Sequence, residues 1–143
     1  MAKIHFLSQD QVLRLHRSLI EHYGGDAAVR DMGLLMSAIC QPPAMFGGQF
    51  LHSDLFEMAA AYLFHVVQNH PFVDGNKRTG AASAVMFLDI NGIEIQADEA
   101  GLVELTLETA QSRADKAIIS AFFRSRAPSP PEGSAAPPGH NPS

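Results

Sequence analysis

The residues best equipped for chemistry crowd into one stretch, His70-Pro71-Phe72-Val73-Asp74-Gly75-Asn76-Lys77-Arg78-Thr79-Gly80. A base, an acid, an amide and two cations fall within a turn marked by proline and glycine. One apolar-periodic segment ends at Asn69 and another begins near Asn76, so the stretch reads as the connection between two helices. The second helix then opens on its basic pair, although the first turn of a helix carries the positive end of the macrodipole and favours Asp or Glu. Between Asp31 and Ser112, Lys77 and Arg78 are the only Lys or Arg, against ten acidic residues. An anion is expected to compensate them. Free backbone N–H groups at a helix N-terminus, a flexible Gly75 and two adjacent cations together make a phosphate site. Histidine exchanges protons near neutral pH, and Asp74 can hold Mg2+ or orient a hydroxyl. The constellation suggests transfer of a phosphorus-containing group to a hydroxyl, with His70 as general base.

Plainer uses compete for the same side chains. Asp74 can pair with Lys77 or Arg78. Asn76 can cap the helix, its commonest use at a helix start, or donate to phosphate. Phe72, an aromatic in a polar loop, is expected to anchor it to the core, and Thr79 and Gly80 to pack.

The elements that must position this loop read as helices. Ser8 caps the first, with Gln11 closing a capping box and Leu7 stapling to Val12; the helix runs to Gly24, with His16 partly exposed beside the apolar stripe. Asp31 caps a short helix through Leu34, Leu35, Ala38 and Ile39, stopped by Pro42-Pro43, with Cys40 read as a buried small residue. Residues 42–52 form an ordered loop or short hairpin, and His52 is placed at the surface. Ser53 or Asp54 opens the central helix, in which Leu55, Met58, Ala59, Tyr62, Leu63 and Val66 recur at helical spacing. Its run Ala59-Ala60-Ala61 invites a close neighbour, and His65 is an interior or groove histidine. After the loop comes an apolar, largely buried helix ending at Asn91-Gly92. Ile93-Glu94-Ile95 is a short edge strand or extended connector. Asp98 caps a helix through Thr109, and Ser112 to Asp115 form a capping box for the last helix, whose buried face is Ile118, Ile119, Phe122 and Phe123. Residues 1–126 make one domain, and 127–143 a Pro/Ser/Gly-rich tail expected to be disordered.

Composition excludes several classes. A net charge of −5 over 143 residues argues against direct nucleic-acid binding. One cysteine rules out an intrachain disulfide framework. No apolar run long enough to span a membrane and no signal peptide are evident, so a cytoplasmic location is expected.

The motif HPFVDGNKRTG resembles the HxFx(D/E)GN(G/K)R signature of the Fic/Doc (Fido) superfamily, and its Lys77-Arg78 form resembles the Doc (death-on-curing) branch. The similarity extends from about Phe6 to Arg124, through "DMGLLMSAICQPPAMFGG" before the motif and "FLDINGIEI" after it. The resemblance implies an all-α, Fic/Doc-type bundle of about six helices, with a flap near residues 42–52 that pairs with a target peptide. It implies that His70 deprotonates the target hydroxyl and that Asp74 holds Mg2+ or orients the hydroxyl. Gly75, Asn76, Lys77 and Arg78 would bind the phosphates of ATP. AMP-transferring relatives usually carry Gly in place of Lys77 and a second Arg in place of Ala81, and lysine cannot copy a bidentate arginine clamp. The departures favour the Doc reaction, transfer of the γ-phosphoryl to a Thr or Ser hydroxyl, with elongation factor Tu as the implied target and arrest of translation as the result. AMP transfer and a non-catalytic nucleotide- or antitoxin-binding module are the alternatives. A self-inhibitory (S/T)xxxE(G/N) helix is not found: Ser53 to Glu57 is followed by Met58, and Ser129 to Gly133 is one residue short and contains prolines. A separate antitoxin is therefore the expected restraint, its segment folding into an apolar groove between helices.

Overall fold

The computed structural model describes residues 3–128. In chain order it contains α1 (Gln9–Tyr23), α2 (Met32–Cys40), a two-stranded hairpin of β1 (Met45–Phe46) and β2 (Gln49–Phe50), then α3 (Leu55–Asn69), α4 (Asn76–Ile90), α5 (Glu99–Ala110) and α6 (Lys116–Arg126). The all-α bundle expected from the sequence is the fold observed. The hairpin is antiparallel, pairing Met45 with Phe50 and Phe46 with Gln49. The tail beyond residue 128 lies outside the described residues.

Local signals set the helix starts. Ser8 and Gln11 form the reciprocal capping box of α1, and Asp31, Asp54 and Asp98 each accept from the backbone N–H three residues on. Such caps satisfy one of the donors a helix start leaves orphaned. Asp54 also receives Arg124 at 2.8 Å, and Asp98 receives Arg126 at 2.6 Å, so two caps are also ties to the end of α6. The Arg126 hydrogen bonds hold the Asp98 carboxyl below the usual carboxylate range.

Helix α3 is the axis of the bundle, packed by α2, α4, α5 and α6. Met58, the three consecutive alanines, Tyr62, Leu63 and Val66 are all buried. Small side chains let α4 come close. A Cβ on Gly80 would lie 2.9 Å from Val67 Cγ2 and 3.2 Å from the Leu63 carbonyl oxygen, so only glycine fits there without displacement.

Several expectations need correction. Cys40 is exposed, because Leu35, Ala38 and Ile39 already occupy the core face of α2 and the next residue turns away from it. His52 is buried, since Lys116 of α6 comes within 3.4 Å of its Nε2 and gives the ring a polar partner away from solvent. Ser112 does not cap α6: it sits in a left-handed turn at φ 61°, and Asp115 alone accepts the Ile118 N–H. In α6 the buried face is Ile119, Ser120 and Phe123, while Ile118 is half exposed. Helix α4 buries Thr79, Gly80, Ser83, Ala84, Phe87 and Leu88, but Ala82, Val85 and Met86 are only partly covered and Ile90 is exposed. Ile93 to Ile95 run as a connector without a ladder partner among the described residues, as one of the two readings held. No described helix is long and apolar enough to cross a membrane.

The N-terminal segment is pinned through Tyr62, whose hydroxyl accepts the Leu7 N–H at 2.8 Å inside the core. Burial pushes its phenol up to about 12, so it stays neutral and available. Tyr62→Phe keeps the ring and orphans the Leu7 N–H. It should cost about 1–3 kcal/mol, read as a lower midpoint of urea unfolding with an unchanged slope.

Candidate functional site

The loop from residue 70 to 75 joins α3 to α4 and is shaped at both ends by left-handed backbone. His70 ends α3 at φ 52°, ψ 55°. Gly75 precedes α4 at φ 84°, ψ 16°, a conformation natural to glycine. A Cβ there would also come within 3.2 Å of Ile20 Cδ1 and 3.4 Å of the His16 ring. No side chain caps α4, so the N–H groups of its first turn remain free to meet an anion.

Asn76 holds the loop closed. It is buried, its Oδ1 accepts the Phe72 N–H at 2.9 Å, and its Nδ2 donates to the Phe72 carbonyl at 2.9 Å. The same Nδ2 lies 3.1 Å from His70 Nδ1 and 3.3 Å from Nε2. Nearly equal distances mean that neither ring nitrogen receives a linear bond. The N-cap use of Asn76 is not realised, because Gly75 takes that position; its amide is bonded to the loop's own backbone.

Phe72 anchors the loop as expected, fully buried and stacked on His16 with ring centroids 3.7 Å apart and planes 8° from parallel. His16 is a correction. It is buried, and its Nε2 sits 2.8 Å from the Asp74 carbonyl, which can only accept, so Nε2 carries the proton. Its position four residues from both Val12 and Ile20, the other buried residues of α1, was a legible signal.

Residues 26–31 run beside the loop. Val29 bridges Phe72, the Val73 N–H reaches the Ala28 carbonyl at 3.1 Å, and the Arg30 and Asp31 N–H groups share the Pro71 carbonyl at 2.7 and 3.0 Å. The Asp26 N–H donates to Asp74 Oδ2 at 2.8 Å, orienting that carboxylate. The Arg30 side chain reaches the His70 and Asn69 carbonyls. Sequence reading missed Asp26 and Arg30, because contacts across some forty residues leave no periodic trace.

His70, Asp74, Gly75, Asn76 and Lys77 line one open pocket of about 430 Å³. Arg78 lines the adjoining cleft of about 550 Å³, together with Tyr23, Lys77 and Ala81. Its guanidinium lies 4.0 Å from the centre of the Tyr23 ring. Neither Lys77 nor Arg78 pairs with a carboxylate among the described residues, so the alternative pairing with Asp74 is not formed. A base, an oriented acid and uncompensated positive charge thus face one space, which suits a reaction between a hydroxyl and a phosphate ester.

A model of the Fic/DOC family matches residues 6–88. The chain belongs to that family. It is 35% identical over 118 residues to "Protein kinase doc" of Escherichia phage P1, covering 82% of this chain and 92% of the phage protein. It is 46% identical over 76 residues to "Toxin Doc" of Mycolicibacterium smegmatis, covering 53% of this chain and 58% of that protein. Both relatives carry the Doc name, which puts this Fic/DOC chain on the Doc branch.

A second titratable group lies apart from the loop. Lys116 Nζ is 2.9 Å from His65 Nε2 and 3.4 Å from His52 Nε2. An ammonium can only donate, so both imidazoles accept. Burial, and then the Lys116 charge, push His65 down to about 4, while His52 and Lys116 are lowered chiefly by burial.

Asn76→Ala orphans both backbone groups of Phe72, at about 1–3 kcal/mol for each group; Asn76→Asp retains the acceptor for the Phe72 N–H but sets a second acceptor against the Phe72 carbonyl, so it should be destabilised as well. Amide exchange at Phe72 and the unfolding midpoint measure both. For His65, the folded value lies below the ordinary 6.5, so the unfolded chain binds the extra proton. Its contribution is fully present above about 6.5 and is lost as pH falls toward about 4. His65→Gln should therefore show a smaller drop in melting temperature than wild type when pH is lowered through that window.

Proposed function

We propose that this chain is a cytoplasmic Doc-type toxin that transfers the γ-phosphoryl of ATP to a Ser or Thr hydroxyl of a protein target and so inhibits translation. The observation that carries the reading is a solvent-facing His70 on the same pocket as the uncapped start of α4 and the unpaired Lys77. The names of the two relatives, a toxin and a protein kinase, support the same reading. Elongation factor Tu is the target that the family resemblance implies.

In this reading His70 takes the proton of the incoming hydroxyl as its oxygen bonds to the γ-phosphorus, and ADP leaves. The free N–H groups of α4, with Lys77 and Arg78, hold the phosphates. For Mg2+ the fit is adequate: Asp74 has one carboxylate oxygen bonded to the Asp26 N–H and the other uncommitted, and one carboxylate suffices when phosphates and water complete the shell. Bound there, Mg2+ would neutralise charge on the phosphates. Lys77 and Ala81 stand where AMP-transferring relatives usually have a glycine and a second arginine, which favours transfer of the terminal phosphoryl.

A cognate antitoxin is the proposed restraint. The cleft between α1, α4 and α5 suits an apolar segment: Val85 and Leu102 line it, with exposed Val103 and Leu107 on its α5 side. Lys77 and Arg78 sit at its end, so an occupant there would approach the phosphate site.

The test is incubation with Mg2+, elongation factor Tu and ATP labelled at the α or the γ position. Label should move from the γ position alone, and His70→Ala should lower the rate by about 10²–10⁴-fold and relieve growth arrest. Transfer of α label would replace this reading with AMP transfer, and arrest by a folded His70→Ala variant would exclude catalysis by this loop.

A further inference from the structure

His70 sits in a conformation that a residue with a Cβ adopts at a cost of roughly 1–2 kcal/mol, at a position where helices most often end on glycine. Something must hold it there. The last carbonyls of a helix lack intrahelical partners and sit at the negative end of the dipole, and α3 has no basic residue in its own last turn. The cation comes instead from a different part of the chain. Arg30 Nε donates to the His70 carbonyl at 2.7 Å and its Nη2 to the Asn69 carbonyl at 3.1 Å, so one planar fork grips two consecutive carbonyls. The fork is itself fixed, because the Arg30 N–H is bonded to the Pro71 carbonyl at 2.7 Å. No carboxylate among the described residues competes for the guanidinium.

We infer that Arg30 is a positioning residue for His70: its guanidinium, bonded to the final carbonyls of α3, holds the left-handed backbone that aims the imidazole into the pocket. The direction of a Cα–Cβ bond turns with φ, so a His70 backbone relaxed to the right-handed region carries its ring away from the other groups of the loop. Arg30 lies on the α3 side of the loop, whereas the phosphate-facing groups belong to the start of α4. Its loss should therefore affect the base and spare the anion site. Lysine keeps the charge but has no fork, so Arg30→Lys separates geometry from electrostatics.

The size of the rate effect rests on the phosphotransfer reading, while the geometric claim does not. The experiment compares full-length wild type, Arg30→Lys and Arg30→Ala by γ-phosphoryl transfer and by the histidine imidazole resonances, with melting as a control for folding. In Arg30→Ala, kcat should fall on the order of 10–100-fold, with KM for ATP changed by less than about twofold. Arg30→Lys should lose most of the same activity. Among the seven histidines, the resonances of His70 should shift selectively in both variants. An unshifted His70, or a kcat equal to wild type, overturns the assignment. So does an equal fall of kcat and ATP affinity that tracks a lower melting temperature, since that marks a purely structural residue. If Arg30→Ala does not fold, Arg30→Lys carries the test. If wild type transfers no γ-phosphoryl, the phosphotransfer reading falls, and the His70 resonances alone decide for or against Arg30.

Discussion

The close approach of α3 and α4 is the constraint from which the site follows. Two antiparallel helices pressed together through Gly80 and the buried alanines of α3 must be joined by a short connection, residues 70–75. A turn that tight cannot satisfy its own backbone within regular structure, and a buried unpartnered amide is costly. The buried Asn76 side chain meets both backbone groups of Phe72, and residues 26–31 meet those of Pro71 and Val73. With the backbone provided for, the side chains of His70, Asp74 and Lys77 are left free to face solvent.

The same geometry places charge where a helix would ordinarily avoid it. The start of α4 has no acidic first turn and no side-chain cap, and it bears Lys77 and Arg78. These features disfavour the empty protein and favour one that holds an anion, since the macrodipole and both cations then act in one direction. Arg78 stacks on Tyr23 rather than pairing with an acid, which keeps its charge uncompensated. The catalytic reading and the local electrostatics therefore agree: what is unfavourable in isolation is suited to a polyphosphate.

Around this centre the rest of the fold is support. His16 and Phe72 form a stacked pair that ties α1 to the loop, and Asp54 and Asp98 bind the end of α6 to the starts of α3 and α5. The Lys116, His65 and His52 group links the base of the hairpin to α3 and α6. Burial and the neighbouring Lys116 cation both disfavour a second charge on its two imidazoles.

The starts of α1 to α5, most of the apolar faces of α1 to α3 and the place of the loop between α3 and α4 were legible in the residues alone, because capping, 3.6-residue periodicity and turn chemistry act within a few positions of the chain. The family motif is likewise local. Readings failed where a residue's surroundings come from elsewhere. Cys40 and Ile118 were misplaced because which flank of a short helix faces the core depends on its neighbours. His52 and His16 were misplaced because a polar side chain enters the interior when a distant group, Lys116 or the Asp74 carbonyl, is there to bond it. The use of Asn76 was undecidable from sequence, since cap, phosphate donor and loop brace demand the same side chain. Only the tertiary structure shows the brace, by bringing the backbone of Phe72 within hydrogen-bonding reach of the amide.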